Sequence, residues 1–199
     1  MARQKLIVAI SGATGTIFGV RLLELLQGSD VETHLVMSKW AKRTLLHETH
    51  YSIDQVQAMA AAVYPLHDQG AAISSGSFIT SGMVVIPSSM RTVSAIAQGA
   101  GDNLIHRSAD VILKERRKLV LVARESPLNE IHLENMLKLA RMGVVILPPV
   151  PAFYNRPENL DDIVNHVVGR VLDQFGIHLD VVKRWRGMDP VPEPSAAGS

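Results

Sequence analysis

A run of small residues near the amino terminus has the composition of a phosphate-binding turn. After the apolar residues 5–10, the sequence continues Ser-Gly-Ala-Thr-Gly-Thr over residues 11–16, with a further glycine at position 19. Glycine lets backbone N–H groups approach a ligand closely, and the N-terminus of a following helix favours negative charge. This pattern predicts phosphate binding; a tight strand-to-helix turn without a ligand is the simpler alternative.

The same turn argues against a pyridine-nucleotide cofactor. Its glycines are spaced Gly-x-x-Gly-x-x-x-Gly instead of Gly-x-Gly-x-x-Gly, and the predicted strand at residues 32–37 is followed by Ser38 and Lys39, with no carboxylate to bind a ribose. Glu32 begins that strand, which is the wrong end of the sheet for such a contact. Ser38 either caps the next helix or binds a ligand, and capping is the simpler role.

Polar side chains also follow the third long strand. Hydroxyls at Ser88, Ser89 and Thr92, together with the cation of Arg91, suit a phosphate or the edge of a flavin ring. A serine-rich helix start has the same composition, so this segment alone supports either interpretation.

The next two strands are followed by further candidate groups. Arg124 and Glu125 form a charged pair directly after the strand at residues 118–123, and Pro127 is predicted to be the first residue of the next helix. The proline-rich residues 148–157 place Tyr154 near the carboxyl ends of the same strands. Rigid polar loops at this position usually contribute to a site.

The remaining candidates lie on helices or are scattered. By sequence alone, Lys114 and Arg170 are ordinary solvated helix charges. The eight histidines have no metal-ligand spacing, so we predict no metal site and expect surface or capping roles for them. Trp185, between Arg184 and Arg186, is predicted to cover the core or to contact another subunit.

The elements that must position these groups alternate between short apolar runs and amphipathic segments. This alternation is typical of a parallel sheet with helical crossovers. Ser52 and Gln55 have the spacing of a capping box, and Gly143 is predicted to end a helix. The predicted strands are residues 5–10, 32–37, 83–86, 118–123 and 144–147, and the predicted helices are residues 16–27, 39–47, 53–63, 92–98, 104–117, 127–142 and 160–175.

Composition excludes several classes of protein. The chain has 199 residues, 47% of them hydrophobic, which is enough for one core. Its net charge of +1 gives no support for nucleic acid or an anionic membrane as a partner, and the lack of cysteine excludes disulfides, thiolate metal sites and cysteine nucleophiles. We expect a cytoplasmic protein with one domain over residues 1–187 and a disordered tail over residues 188–199.

Six motifs occur in order along the chain: ISGATG at residues 10–15, THLVMSK at 33–39, ISSGSF at 73–78, LKERR at 113–117, RESPL at 124–128 and PPVPAFY at 148–154. Together they resemble those of the UbiX/Pad flavin prenyltransferases, formerly described as aromatic acid decarboxylases. The resemblance extends from about residue 6 to residue 185. It implies a single-domain α/β fold of Rossmann-like or flavodoxin-like type, with a parallel sheet flanked by helices.

The resemblance also implies a reaction and an assembly. A dimethylallyl group is transferred from dimethylallyl phosphate to N5 and C6 of reduced FMN, with loss of phosphate and no metal. The product, prenylated FMN, is the cofactor that UbiD-type decarboxylases use in aromatic acid decarboxylation. The implied assembly is a homododecamer with FMN at subunit interfaces.

Roles carry over from the family residue by residue. Tyr154 and Arg170 match positions that hold dimethylallyl phosphate, with Lys114 close to the same phosphate. The positions matching catalytic or active-site-shell residues are Glu48, Glu125, Thr14, Lys114 and Trp185. The positions matching FMN-binding residues are Gly12, Ala13, Thr14, Ser38, Ser89, Met90, Arg91, Thr92 and Arg124.

Two positions depart from many relatives. Thr14 replaces a serine but keeps the hydroxyl, so we expect slower or altered chemistry at most. Ser88 replaces a cysteine and indicates that no thiol is needed.

The chemistry implied by the resemblance needs groups that neutralise the departing phosphate. Tyr154 and the cations Lys114, Arg124 and Arg170 can supply them. Glu125 is the candidate proton acceptor for ring closure at C6.

Two other functions compete with this interpretation. An FMN-binding carrier or accessory subunit of a hydroxyarylic acid decarboxylase would bind flavin without turnover. An FMN-dependent cysteine decarboxylase would have a Pro-Ala-Met-Asn-like motif, whereas residues 151–155 are Pro-Ala-Phe-Tyr-Asn. We therefore disfavour the cysteine decarboxylase.

Overall fold

A parallel sheet organises the chain. In the computed structural model, which describes residues 3–181, 184–185 and 187–188, six strands lie in the order β3-β2-β1-β4-β5-β6. This order is that of a Rossmann-type doubly wound sheet, so the predicted fold class is confirmed. The strands are β1 (Gln4–Ile10), β2 (Val31–Met37), β3 (Ala62–Tyr64), β4 (Gly82–Ser88), β5 (Lys118–Ala123) and β6 (Val145–Ile146).

Helices cover both faces of the sheet. They are α1 (Thr16–Leu26), α2 (Lys39–Glu48), α3 (Ile53–Ala58), α4 (Met90–Ala97), α5 (Leu104–Lys114), α6 (Glu130–Arg141) and α7 (Leu160–Asp173), with a short 3-10 turn at Ala72–Ser74. Because side chains alternate along a strand, β1 contributes Leu6, Val8 and Ile10 to one core and Ile7 and Ala9 to the other. The first core includes residues of α1, α2, α3 and α7, and the second includes residues of α4, α5 and α6.

The two central strands are joined at their carboxyl ends. The Ser11 N–H and hydroxyl donate to the carbonyl oxygen of Pro87 at 3.1 and 3.0 Å, and the Ser89 N–H donates to Ser11 Oγ at 2.8 Å. The helices that follow β1 and β4 cover opposite faces of the sheet, so a crevice opens between these strand ends.

Most local predictions agree with the structure. They are the five predicted strands, the Ser52–Gln55 capping box and the end of a helix at Gly143, which has a positive φ.

Two local predictions were wrong. The predicted helix over residues 53–63 ends at Ala58, because residues 62–64 pair with β2 as an edge strand and the Ala61 N–H donates to Thr33 Oγ1 at 3.3 Å. Pro127 does not begin a helix. Helix α6 begins at Glu130 because the Asn129 side chain accepts the His132 N–H at 2.9 Å, which makes Asn129 the cap.

The described part of the chain contains no helix that is both long and apolar enough to cross a membrane. Of the predicted C-terminal tail, residues 189–199 lie outside the described residues.

Candidate active site

The turn after β1 is shaped by close packing. A Cβ atom added at Gly12 would lie 2.5 Å from the Cβ atom of Trp40, which is shorter than any acceptable contact. Gly15 adopts a left-handed conformation with φ of 93° and precedes α1 as its N-cap. Close packing therefore requires glycine at position 12, and the backbone conformation favours glycine at position 15, whether or not a ligand contacts the turn.

Glu48, at the end of α2, binds the start of α1. Its Oε2 atom accepts the Gly15 N–H at 2.9 Å, the Thr16 N–H at 3.2 Å and the Thr16 hydroxyl at 3.2 Å. Burial raises the pKa of this carboxyl, but hydrogen bonds from Thr14, Gly15 and Thr16 lower it by more, so the net pKa lies below its usual value. The protein's own carboxylate occupies the helix N-terminus, so phosphate binding through Gly15 and Thr16 is not supported.

The first cavity lies in the crevice beyond β1 and β4 and has a volume of about 470 Å³. Ser38 caps α2 by accepting the Ala41 N–H at 3.0 Å, and Ser89 caps α4 by accepting the Thr92 N–H at 3.3 Å. Two helix N-termini therefore border this cavity and favour an anion there. Five of the predicted FMN-binding residues line it, namely Gly12, Ser38, Ser89, Arg91 and Thr92.

The second cavity lies on the other side of the same turn and has a volume of about 540 Å³. Thr14, Arg124 and Glu125 line it, and the proline-rich residues 148–151 form an apolar wall. The Arg124 N–H donates to the Ser88 carbonyl at 3.0 Å, which fixes the start of this loop against β4. The structure thus brings together a hydroxyl, a cation and a carboxylate beside an apolar wall.

Tyr154, Arg170 and Trp185 lie on or against α7 instead. The Tyr154 ring packs edge-to-face on Trp185, with centroids 5.4 Å apart. Asp173 binds Arg170 Nη1 at 2.8 Å and Arg184 Nη2 at 2.8 Å, which ties residue 184 to the end of α7. None of Tyr154, Arg170 and Trp185 lines either cavity. We call these residues, together with His166, the α7 cluster.

Comparison with known proteins identifies the family. A protein-family model described as Flavoprotein matches residues 1–172. A curated protein of Bacillus subtilis (strain 168), a probable UbiX-like flavin prenyltransferase, is 58% identical over 185 residues, covering 93% of this chain and 91% of that protein. The chain belongs to the UbiX-like flavin prenyltransferase family. The predicted family is thereby confirmed.

Solved structures of similar proteins extend over the same region. A dodecameric FMN-dependent UbiX-like decarboxylase from Escherichia coli O157:H7 has a TM-score of 0.91 at 59% identity, covering 92% of this chain and 100% of that one. AnUbiX in complex with FMN and dimethylallyl pyrophosphate has a TM-score of 0.93 at 51% identity, covering 94% of this chain and 100% of that one. The two cavities therefore belong to a fold that carries flavin in UbiX-like proteins.

Lys114 lies at the amino ends of the strands, whereas the predicted residues that follow β1, β2, β4 and β5 lie at the carboxyl ends. It ends α5, four residues before β5 begins, whereas Arg124 directly follows β5. A six-residue strand is about 20 Å long, so one phosphate cannot reach both cations within a subunit. The Lys114 ammonium instead donates to Glu115 Oε1 at 2.5 Å.

Three histidines were wrongly predicted to be surface or capping groups. His34, His106 and His166 are buried, and burial is the main reason that the pKa of each lies below its usual value. His166 occurs among Val164, Val167 and Val168 on α7, an apolar pattern that indicates a core-facing helix. That pattern was the signal in the sequence from which the burial of His166 could have been predicted.

In the described ranges, no group of three His, Asp or Glu side chains could hold a metal.

We expect Asp173 to contribute pH-dependent stability. The hydrogen bond from Arg184 outweighs burial and, with His178 and Arg170, lowers the pKa of Asp173 from 3.8 to about 2. Because the folded-state pKa is the lower one, the stabilisation is present above about pH 4 and is lost between about pH 4 and pH 2. Asp173→Asn should therefore reduce the free energy of unfolding by about 1 kcal/mol at pH 7, since the cationic partners are partly solvated.

Urea unfolding at pH 7 and pH 3 measures this difference. The variant should approach the wild type at the lower pH. Glu134→Gln, on an exposed part of α6, is the control and should change stability at neither pH. An equal loss in Asp173→Asn at both pH values would show that the charge of Asp173 is not responsible.

Gly12→Ala should weaken FMN binding about tenfold or more, because the new methyl group must displace Trp40 at the first cavity. Gly101→Ala is the matched control, since a Cβ atom there would meet nothing within 4 Å. Titration of flavin fluorescence measures both affinities, with the melting temperature recorded for each variant. Unchanged affinity in folded Gly12→Ala would exclude this turn from the flavin site.

Proposed function

We propose that this protein transfers a dimethylallyl group from dimethylallyl phosphate to N5 and C6 of reduced FMN and releases phosphate. The observation that carries the proposal is its 51% identity and TM-score of 0.93 to AnUbiX, which was solved with FMN and dimethylallyl pyrophosphate. Prenylated FMN is the product, and a UbiD-type decarboxylase in the cytoplasm is the proposed recipient.

The first cavity is the proposed site for the FMN phosphate. The N-termini of α2 and α4 border it, and Arg91 adds a full positive charge. Ser38 and Ser89 accept backbone N–H groups as caps, and the hydroxyl hydrogen of Ser38 is available to donate to a phosphate oxygen. The Ser89 and Thr92 hydroxyls lie 3.1 Å apart and share one hydrogen bond, so one hydroxyl hydrogen of this pair is left to donate to phosphate. Gly12 to Thr14 would then extend along the flavin towards the second cavity.

The second cavity is the proposed site of prenyl transfer. Arg124 supplies positive charge. After the carbon–nitrogen bond forms at N5, the alkene of the transferred group must take up a proton before its tertiary carbon bonds to C6. Glu125 is the proposed acceptor of the proton that C6 loses when this carbon–carbon bond closes. Glu125 is exposed and its Oε1 atom accepts only the Ser126 N–H, at 3.1 Å, among the described residues. Residues 148–151 would keep water away from the allylic chain.

Glu48 has a different proposed role. Its carboxylate accepts three hydrogen bonds at the start of α1, and these bonds hold its pKa down, so it is a weak proton acceptor. We propose that it fixes the turn of residues 12–15 in place. Thr14, between the turn and the second cavity, would then present its hydroxyl to the reacting centre.

The leaving phosphate is proposed to bind between subunits. Tyr154 and Arg170 belong to the α7 cluster. Lys114 lies about 20 Å from Arg124 along β5. If all four side chains contact one phosphate, Lys114 must therefore come from a second copy of the chain. The E. coli relative at 59% identity is dodecameric. A homododecamer is the proposed assembly of this chain.

Glu125→Gln should bind FMN normally but stall during or after prenyl transfer, because the amide cannot take up the proton from C6. Rapid mixing with absorbance detection, followed by mass analysis of the flavin, measures where the reaction stops. Glu130→Gln, at the first residue of α6, is a nearby control expected to react at the wild-type rate. Full turnover by Glu125→Gln would remove Glu125 from the mechanism.

The function itself is tested by mixing the purified protein anaerobically with reduced FMN and dimethylallyl phosphate. We expect an extracted flavin heavier by one C5H8 unit, with one phosphate released per flavin. Recovery of unmodified FMN, tightly bound, would overturn the proposal and favour a flavin carrier.

A further inference from the structure

The Tyr154 ring is held between two other rings. It packs edge-to-face on His166, with centroids 5.7 Å apart and an angle of 82°, and edge-to-face on Trp185, with centroids 5.4 Å apart and an angle of 77°. Tyr154 and Trp185 are about half exposed, whereas His166 is only 8% exposed. His166 is thus the fixed member of the three, since α7 holds it in the core.

His166 is an unusual residue for this position. Its Nδ1 atom is buried and has no hydrogen-bond partner among the described residues. Its neighbours Val164, Val167 and Val168 are buried apolar side chains, so packing alone would be served by an apolar residue. Because the ring is buried, makes no hydrogen bond through Nδ1 and packs on Tyr154, we infer that the contribution of His166 is this ring contact.

The charge state of His166 suits such a role. Burial and the nearby Arg170 lower its pKa, while Asp173 opposes this shift, so the ring is neutral near pH 7. A neutral ring presents its edge or face to Tyr154 without repelling Arg170, which lies one helical turn further along α7. Arg170 is paired with Asp173 at 2.8 Å, and a neutral His166 adds no further positive charge beside this pair.

We propose that His166 is a positioning residue that holds the Tyr154 ring against Trp185 and so directs the Tyr154 hydroxyl towards dimethylallyl phosphate. This inference rests on the proposed function, in which Tyr154 and Arg170 bind that phosphate. The His166 ring does not touch the substrate; it acts through Tyr154. Edge-to-face aromatic packing is the means, so another aromatic ring should serve and a small side chain should not.

The test compares His166→Ala with His166→Phe in the full-length protein. His166→Ala should raise KM for dimethylallyl phosphate about fivefold with kcat nearly unchanged, which is the size expected for losing one edge-to-face aromatic pair. His166→Phe should restore most of the affinity. Val168→Ala, which removes buried bulk from the same helix, is the control for a general loss of packing and should leave KM unchanged.

A second measurement reports the ring contact without turnover. The chain has two tryptophans, so the emission lost in Trp185→Phe defines the contribution of Trp185 in flavin-free protein. His166→Ala should shift that contribution towards the emission of a solvated tryptophan, and His166→Phe should not. This measurement distinguishes failure of the inference from failure of the proposed function, which would appear as absent prenylation in the wild type.

Two results would overturn the inference. One is a folded His166→Ala variant with wild-type KM and wild-type Trp185 emission. The other is a His166→Phe variant as impaired as His166→Ala, since ring packing could not then be the cause.

Discussion

The site depends on the divergence of two neighbouring strands. β1 and β4 lie side by side, and the helices that follow them cover opposite faces of the sheet, so the backbone must separate where both strands end. Ser11 limits this separation by bonding to Pro87 and Ser89 across the gap. A crevice of defined width results, and both cavities open from the turn at its edge.

The electrostatics of the crevice follow from where helix ends meet it. The starts of α2 and α4 carry serine caps and face the first cavity, whereas the start of α1 is occupied by Glu48. Positive potential is therefore concentrated on one side of the turn and partly cancelled on the other. This asymmetry distinguishes an end of the crevice that favours an anion from an end where a carboxylate and a hydroxyl lie beside an apolar wall.

The sequence predicted the fold better than it predicted the arrangement of the site. Buried parallel strands produce apolar runs, so five strands were found, but β3 is a three-residue edge strand with Val63 exposed and has no such run. Gly19 resembled part of a phosphate motif, yet a Cβ atom there would lie 2.6 Å from the Ile86 carbonyl oxygen, so close packing of α1 on the sheet requires glycine. The family resemblance identified Lys114 and Glu48, and the predicted helix before β5 already places Lys114 at the amino ends of the strands. Motif spacing and helical period do not predict the ion pair between Lys114 and Glu115. Nor do they predict that Glu48 bonds to Thr16, which is 32 residues away in the chain.

The bond between Glu48 and the start of α1 also bears on the thermodynamics of flavin binding. A loop rich in glycine is costly to order, and in many phosphate-binding turns the arriving anion provides the compensating interactions. Here a side chain of the protein provides them, so the entropy of the turn is lost during folding and not when the ligand arrives. The turn is thus preorganised, and more of any contact that it makes with flavin becomes available as net affinity.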